Sequence, residues 1–194
     1  MKQNLLCFLL LNSLIFSSGG FDNGTPLMKG KFRLDLTWNP FNVFENGQSY
    51  AVIKYGFNNH INLHGYISDH KSNYKTWYAG VFYNFYSHDK FDLSTAIGLR
   101  KNFNEKWNHI FIPQLLYTFH INNKINIGGS FVQVQKFKPQ KDSGLAIDLN
   151  MSYKLNFENE TIQNIKLVLG GFHPSTNIGE QFFYPTYSID IFFN

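Results

Sequence analysis

Ser87, His88 and Asp89 bring a hydroxyl, an imidazole and a carboxylate together at three consecutive positions. These are the groups of a nucleophilic hydrolase, but such a triad is built by convergence of separate parts of a fold, and three sequence neighbours seldom form one. The stretch reads instead as a polar turn. His60 and His64 share one face of an extended segment but lie about 13 Å apart at about 3.3 Å per residue, too far to hold one metal. The other histidines, His70, His109, His120 and His173, have no zinc-site spacing. The single cysteine, Cys7, provides no pair for a disulfide or a thiolate site. Gly128-Gly129 and Gly170-Gly171 precede no helical pattern and read as bends in a sheet rather than phosphate loops. No metal and no cofactor is expected.

The remaining chemistry lies in charges that recur at alternate positions between apolar residues. Arg33, Asp35, Lys54, His64, Asp92, Arg100, Asp148, Lys154 and Asp190 all fall on the polar face of a period-two pattern. Phe32, Leu34, Leu36 and Trp38 interleave with Lys31, Arg33, Asp35 and Thr37. Leu145, Ile147, Leu149, Met151, Tyr153, Leu155 and Phe157 alternate with polar or small residues. That period puts apolar side chains on one face of a strand and polar ones on the other.

Ten such segments follow one another, at 30–39, 49–57, 61–68, 75–86, 91–100, 108–120, 124–136, 144–157, 162–172 and 182–193. Their connections alternate between short ones (58–60, 87–90, 121–123, 158–161) and longer ones (40–48, 69–74, 101–107, 137–143, 173–181). Short turns at one rim, longer loops at the other and an even strand number predict an all-β, transmembrane, antiparallel up-and-down barrel of about ten strands, with eight or twelve as the neighbouring even counts. Aromatic residues near strand ends, among them Trp38, Tyr50, Phe57, Trp77, Phe91, Phe119 and Phe193, are expected to form interfacial girdles. The charged residues named above would then line the lumen.

Composition agrees. The 194-residue chain is 18% aromatic and only 15% charged, against about a quarter charged in soluble domains. A formal net charge of +4 is too small and too scattered to suggest nucleic acid. Residues 1–20 have the layout of a secretory signal: Lys2, an apolar stretch from Leu5 to Phe16, then Ser17-Ser18-Gly19-Gly20. Cleavage near Gly20 would leave 21–194 as the barrel domain. The closing alternation, Tyr187, Ile189, Ile191 and Phe193, resembles the C-terminal signal read by the barrel assembly machinery, with Asn194 after the aromatic residue. The expected partners are that machinery, the lipid bilayer and lipopolysaccharide; the expected state is a monomer.

Two stretches resemble enzymes of the same membrane. Trp107-Asn108-His109-Ile110-Phe111-Ile112-Pro113, with Phe91-x-Leu93 upstream, is similar to a segment of the lipid A palmitoyltransferase family. That family's catalytic histidine in the first outer loop and Asp-Ser pair in the second have no counterpart in Pro40–Gln48 or around Asp69, His70 and Ser72. His173-Pro174-Ser175-Thr176-Asn177 looks like the His-x-Ser-Asn motif of lipid A deacylases, which would make His173 and Ser175 base and nucleophile, with Glu180 the nearest carboxylate. Three functional readings follow. The leading one is a passive outer-membrane barrel, porin-like or structural. The alternatives are a lipid A acyl-modifying enzyme and a secreted soluble lipid-binding barrel, whose apolar faces would point inward.

Overall fold

The computed structural model describes residues 23–38, 48–70, 75–103, 109–136, 144–157, 159–173 and 184–194. Ten strands run through them: β1 Phe32–Trp38, β2 Gln48–Gly56, β3 Ile61–His70, β4 Lys75–His88, β5 Phe91–Asn102, β6 His109–His120, β7 Ile125–Lys136, β8 Gly144–Leu155, β9 Ile162–His173 and β10 Tyr184–Phe193. Each strand pairs antiparallel with its sequence neighbours, and β1 pairs with β10 to close the ring. Closure gives every strand two partners, which a sheet immersed in lipid requires because no water satisfies a free edge.

One residue type sets most of the short turns. Asn58 Oδ1 accepts the N–H groups of His60 and Ile61 at 2.8 and 2.7 Å. Asn122 Oδ1 does the same for Lys124 and Ile125, at 2.8 and 2.9 Å, and Asn159 Oδ1 for Thr161 and Ile162, at 2.9 and 2.6 Å. In each case the asparagine side chain stands in for a backbone turn acceptor. The fourth short connection is tighter than the sequence suggests. β4 continues through Ser87 and His88, leaving Asp89-Lys90 as the turn.

The faces are inverted relative to a soluble barrel. Leu36, Ile53, Leu63, Ile67, Val81, Ile97, Leu99, Leu115, Leu149, Met151, Leu167 and Ile189 are exposed on the outside. Arg33, Asp35, Lys54, Asn62, Asn84, Asp92, Ser94, Asp148 and Asp190 are buried inside. This polarity overturns the soluble lipid-binding reading, which needs the apolar face within; it is the polarity of a barrel surrounded by lipid.

Of the bulges among the described residues, one skips Gln163 at the start of β9, and two others reset the alternation beside the interior. In β4 the register shifts between Asn84 and Tyr86, so that Asn84 is buried while Phe85 and Tyr86 are both exposed. In β6 it shifts between Phe111 and Gln114, at Ile112-Pro113. Proline cannot donate to the ladder, so a central strand tolerates it at a bulge. The result turns both Phe111 and Gln114 to the inside, where Tyr78 meets each of them.

Candidate functional site in the barrel interior

The interior has two unlike walls. On β3–β6 it carries an aromatic stack set among buried polar side chains such as Asn62, Ser68, Thr76 and Gln114. The Tyr66 ring stacks on Tyr78 with centroids 5.3 Å apart, and Tyr78 stacks in turn on Phe111 at 5.3 Å. Tyr50 meets Tyr66 edge-on, so Tyr50 turns into the barrel rather than joining an outer girdle. The Tyr78 hydroxyl lies 3.0 Å from His64 Nε2 and accepts from Gln114 Nε2 at 2.9 Å. Phe82, Ala96 and Leu116 pack together below this stack. The rings cover one another's faces, so the stack is packing and not an open shelf for a flat ligand.

The opposite wall, from β7 round to β1, carries small polar and charged groups. Ser130, Asp148, Asn150, Ser152, Asn164, Thr186, Ser188, Asp190, Arg33, Asp35 and Thr37 are buried there. Ser130 Oγ donates to Asp148 Oδ2 at 2.6 Å, and Thr37 Oγ1 to Asp35 Oδ1 at 2.6 Å. Arg33 Nη1 stands 3.9 Å from Asp190 Oδ2, and Asp190 faces Asp35 in the β1–β10 register.

At the short-turn mouth the chain crosses its own lumen. Gly30, with φ of +79°, turns the backbone out of β1, a conformation that favours glycine. Gly30 N–H donates to Gly56 O at 2.8 Å. From there Lys29 N–H donates to Asn59 Oδ1 at 3.2 Å, and Leu27 exchanges two bonds with the Asn62 amide. Thr25 O accepts from Lys54 Nζ at 3.1 Å, and that ammonium also sits 3.4 Å from the Phe82 centroid. Gly24 O accepts from Ser94 Oγ at 2.6 Å and Asn84 Nδ2 at 3.4 Å. A Cβ on Gly128 of β7 would meet Asn23 at 3.2 Å. The segment thus reaches from β2 to β7, which stand opposite one another in a ring of ten.

A third cluster lies beside this mouth. His120 Nε2 is 2.8 Å from Asp92 Oδ2, Ser87 Oγ donates to Asp92 Oδ1 at 2.5 Å, and Asn126 Oδ1 lies 3.0 Å from His120 Nδ1. Both the serine and the histidine address the carboxylate. The serine is not bonded to the imidazole, so the set lacks the nucleophile–base contact that catalysis needs.

Of the charged residues on the polar face of the sequence pattern, Arg33, Asp35, Lys54, His64, Asp92, Asp148 and Asp190 are buried inside the barrel. Arg100 is half-buried on β5 opposite Tyr78, and Lys154 is exposed on β8 in register with Lys166 of β9. His173 ends β9; its side chain, Ser175 and Glu180 lie outside the described residues, as does the segment 1–20. No group of three or more His, Asp or Glu side chains among the described residues is placed to hold a metal ion.

The strap contacts were not visible in the sequence, since 23–30 has no periodicity and Asn62 looks like any polar-face residue. The one available signal was Gly30 beside the start of β1.

No protein-family model and no curated protein sequence matches this chain. Solved structures do. A structure described as KdgM porin superposes with a TM-score of 0.54 over 84% of this chain and 98% of that chain, at 8% identity. A second, described as KdgM porin in complex with disordered oligogalacturonate, gives 0.55 over the same shares, also at 8% identity. At this level of identity the likeness concerns the fold, and by fold this chain is a porin-like antiparallel β-barrel.

Proposed function

We propose that this chain is a monomeric outer-membrane barrel with a passive, porin-like role and no catalytic step. A cleaved leader delivers it and the barrel assembly machinery inserts it into a bilayer bearing lipopolysaccharide. The observation that carries the reading is the inverted polarity: an apolar outer face around an interior wall of Ser, Thr, Asn, Asp and Arg on β7–β1. The exposed apolar rings of Phe57, Phe119 and Phe157 lie near strand ends, the usual place for interfacial aromatics.

Any path for solutes is narrow and off-centre. The aromatic stack narrows the β3–β6 side at its level, leaving the polar β7–β1 wall as the side along which water and small polar solutes pass. A barrel of this strand number has little more width than its own side chains need. The fold shared with KdgM porin supports the same reading.

Planar-bilayer recording tests it. Steps of small unitary conductance are expected from the purified protein; a bilayer that stays silent with every inserted form, with residues 23–30 present or removed, contradicts the pore.

A further inference from the structure

The lumen is crossed by the chain itself, and the barrel holds the crossing segment by its backbone. The strap contributes Gly24 O, Thr25 O, Leu27 N–H and O, Lys29 N–H and Gly30 N–H. The wall answers with one buried side chain from each of four consecutive strands: Lys54 on β2, Asn62 on β3, Asn84 on β4 and Ser94 on β5. These four are at most 2% exposed. Polar groups so deeply buried are costly without partners, and here the strap supplies partners to all four.

The strap adds no strand to the sheet and buries a single apolar side chain, Leu27, while Met28 is 68% exposed. Segments with few apolar contacts and exposed backbone bonds open at lower free energy than the core. Gly30 provides the turn at its root. Gly24 fits where a side chain cannot, since a Cβ would lie 2.7 Å from Asp92 O and 2.8 Å from Tyr117 Cα.

We propose that residues 23–30 are a removable stopper and that the short-turn mouth is a binding site for an extended peptide backbone, filled by this chain's own segment. The inference rests on the porin-like reading. The stopper lies against β2–β7 at this mouth, and a barrel of this strand number has so little spare width that a segment held there closes it. Its withdrawal widens the lumen at this mouth and frees Lys54, Asn62, Asn84 and Ser94 to take another extended peptide.

Three proteins recorded in planar bilayers test this: the full chain, a deletion of residues 23–29, and Gly24→Val, in which the added side chain pushes the strap's end off Asp92 and Tyr117. Correct assembly is checked beforehand by heat-dependent gel mobility, so that Gly24→Val carries the test if the deletion does not assemble. The full chain should show rare, brief openings and the altered chains sustained ones. A synthetic peptide of residues 23–31, at about millimolar to match the effective concentration of a short tether, should block the deletion from one side of the bilayer only. The same peptide carrying Gly24→Val should not block. Equal conductance of the full chain and the altered chains overturns the stopper while leaving the pore intact. Silence of all three overturns both, and sustained opening that the peptide fails to block overturns the peptide site.

Discussion

The Asn62 side-chain amide takes both the N–H and the C=O of Leu27, at 2.8 and 3.0 Å, so one residue of β3 reads the strap's backbone in both senses. Asn84 extends the same logic at the β4 bulge. Its Nδ2 lies within 3.0 Å of both Tyr86 O and Leu93 O and 3.4 Å from Gly24 O. The irregularity that buries Asn84 therefore also places a donor on the strap.

Replacing Asn62 by Ala removes both bonds to Leu27. At about 1 kcal/mol per bond, opening of the strap becomes easier by about 2 kcal/mol, or about 30-fold. Hydrogen exchange of the bonded strap amides of Leu27, Lys29 and Gly30 should accelerate by that order while the strands keep their protection. Unchanged exchange at Leu27 contradicts the contact.

Adjacent residues on β8 should respond oppositely to charge. Leu149 is 50% exposed on the outer face, between the buried Asp148 and Asn150. Leu149→Arg puts a cation into lipid near the middle of the strand and should cost about 2–4 kcal/mol. Urea unfolding from lipid vesicles measures the loss. A change under half a kcal/mol, of the kind ordinary surface substitutions produce, roughly, would place Leu149 in water.

Asp190→Ala removes a carboxylate that stands 3.9 Å from the buried Arg33 guanidinium. Breaking a buried pair from one side costs about 3–5 kcal/mol, and the lower end is expected because the change also relieves like-charge repulsion with Asp35 across the β1–β10 register. The double variant Arg33→Met, Asp190→Ala should recover most of that loss. Additive losses in the same unfolding assay would show that the two residues do not interact.

Gly98→Val tests the aromatic wall. A Cβ at Gly98 would run into the Tyr78 ring, so the ring must leave its place between Tyr66 and Phe111. Overpacking of this kind costs about 1–3 kcal/mol. Near-ultraviolet circular dichroism should lose aromatic signal while the far-ultraviolet strand signal persists; an unchanged near-ultraviolet spectrum would mean that the ring does not occupy that space.

The barrel was legible because its determinants are local and repeated. Alternation in β1 and β8 and the asparagines at 58, 122 and 159 each act over a few residues, and their sum leaves one closed topology. Strand ends accordingly fall within two residues of the alternating segments. What alternation could not convey lay across the lumen. Tyr50, Tyr66, Tyr78 and Phe111 suit an outer girdle or an inner stack equally well by type. Alternation does put Tyr66 on the polar face with Asn62, His64 and Ser68; that the rings meet as a stack depends on registers between strands and, for Phe111, on the bulge at Ile112-Pro113. The strap is illegible for a related reason, since its partners come from four strands and its own residues contribute mainly backbone groups.

The central claim is a closed barrel in the outer membrane. It is tested most directly by separating inner and outer membranes from expressing cells and comparing unheated with boiled samples on a denaturing gel. The account predicts recovery in the outer-membrane fraction and a mobility that changes on boiling, because a closed ring of paired strands resists detergent until heated. Recovery in the soluble fraction, with the same mobility before and after boiling, would contradict it.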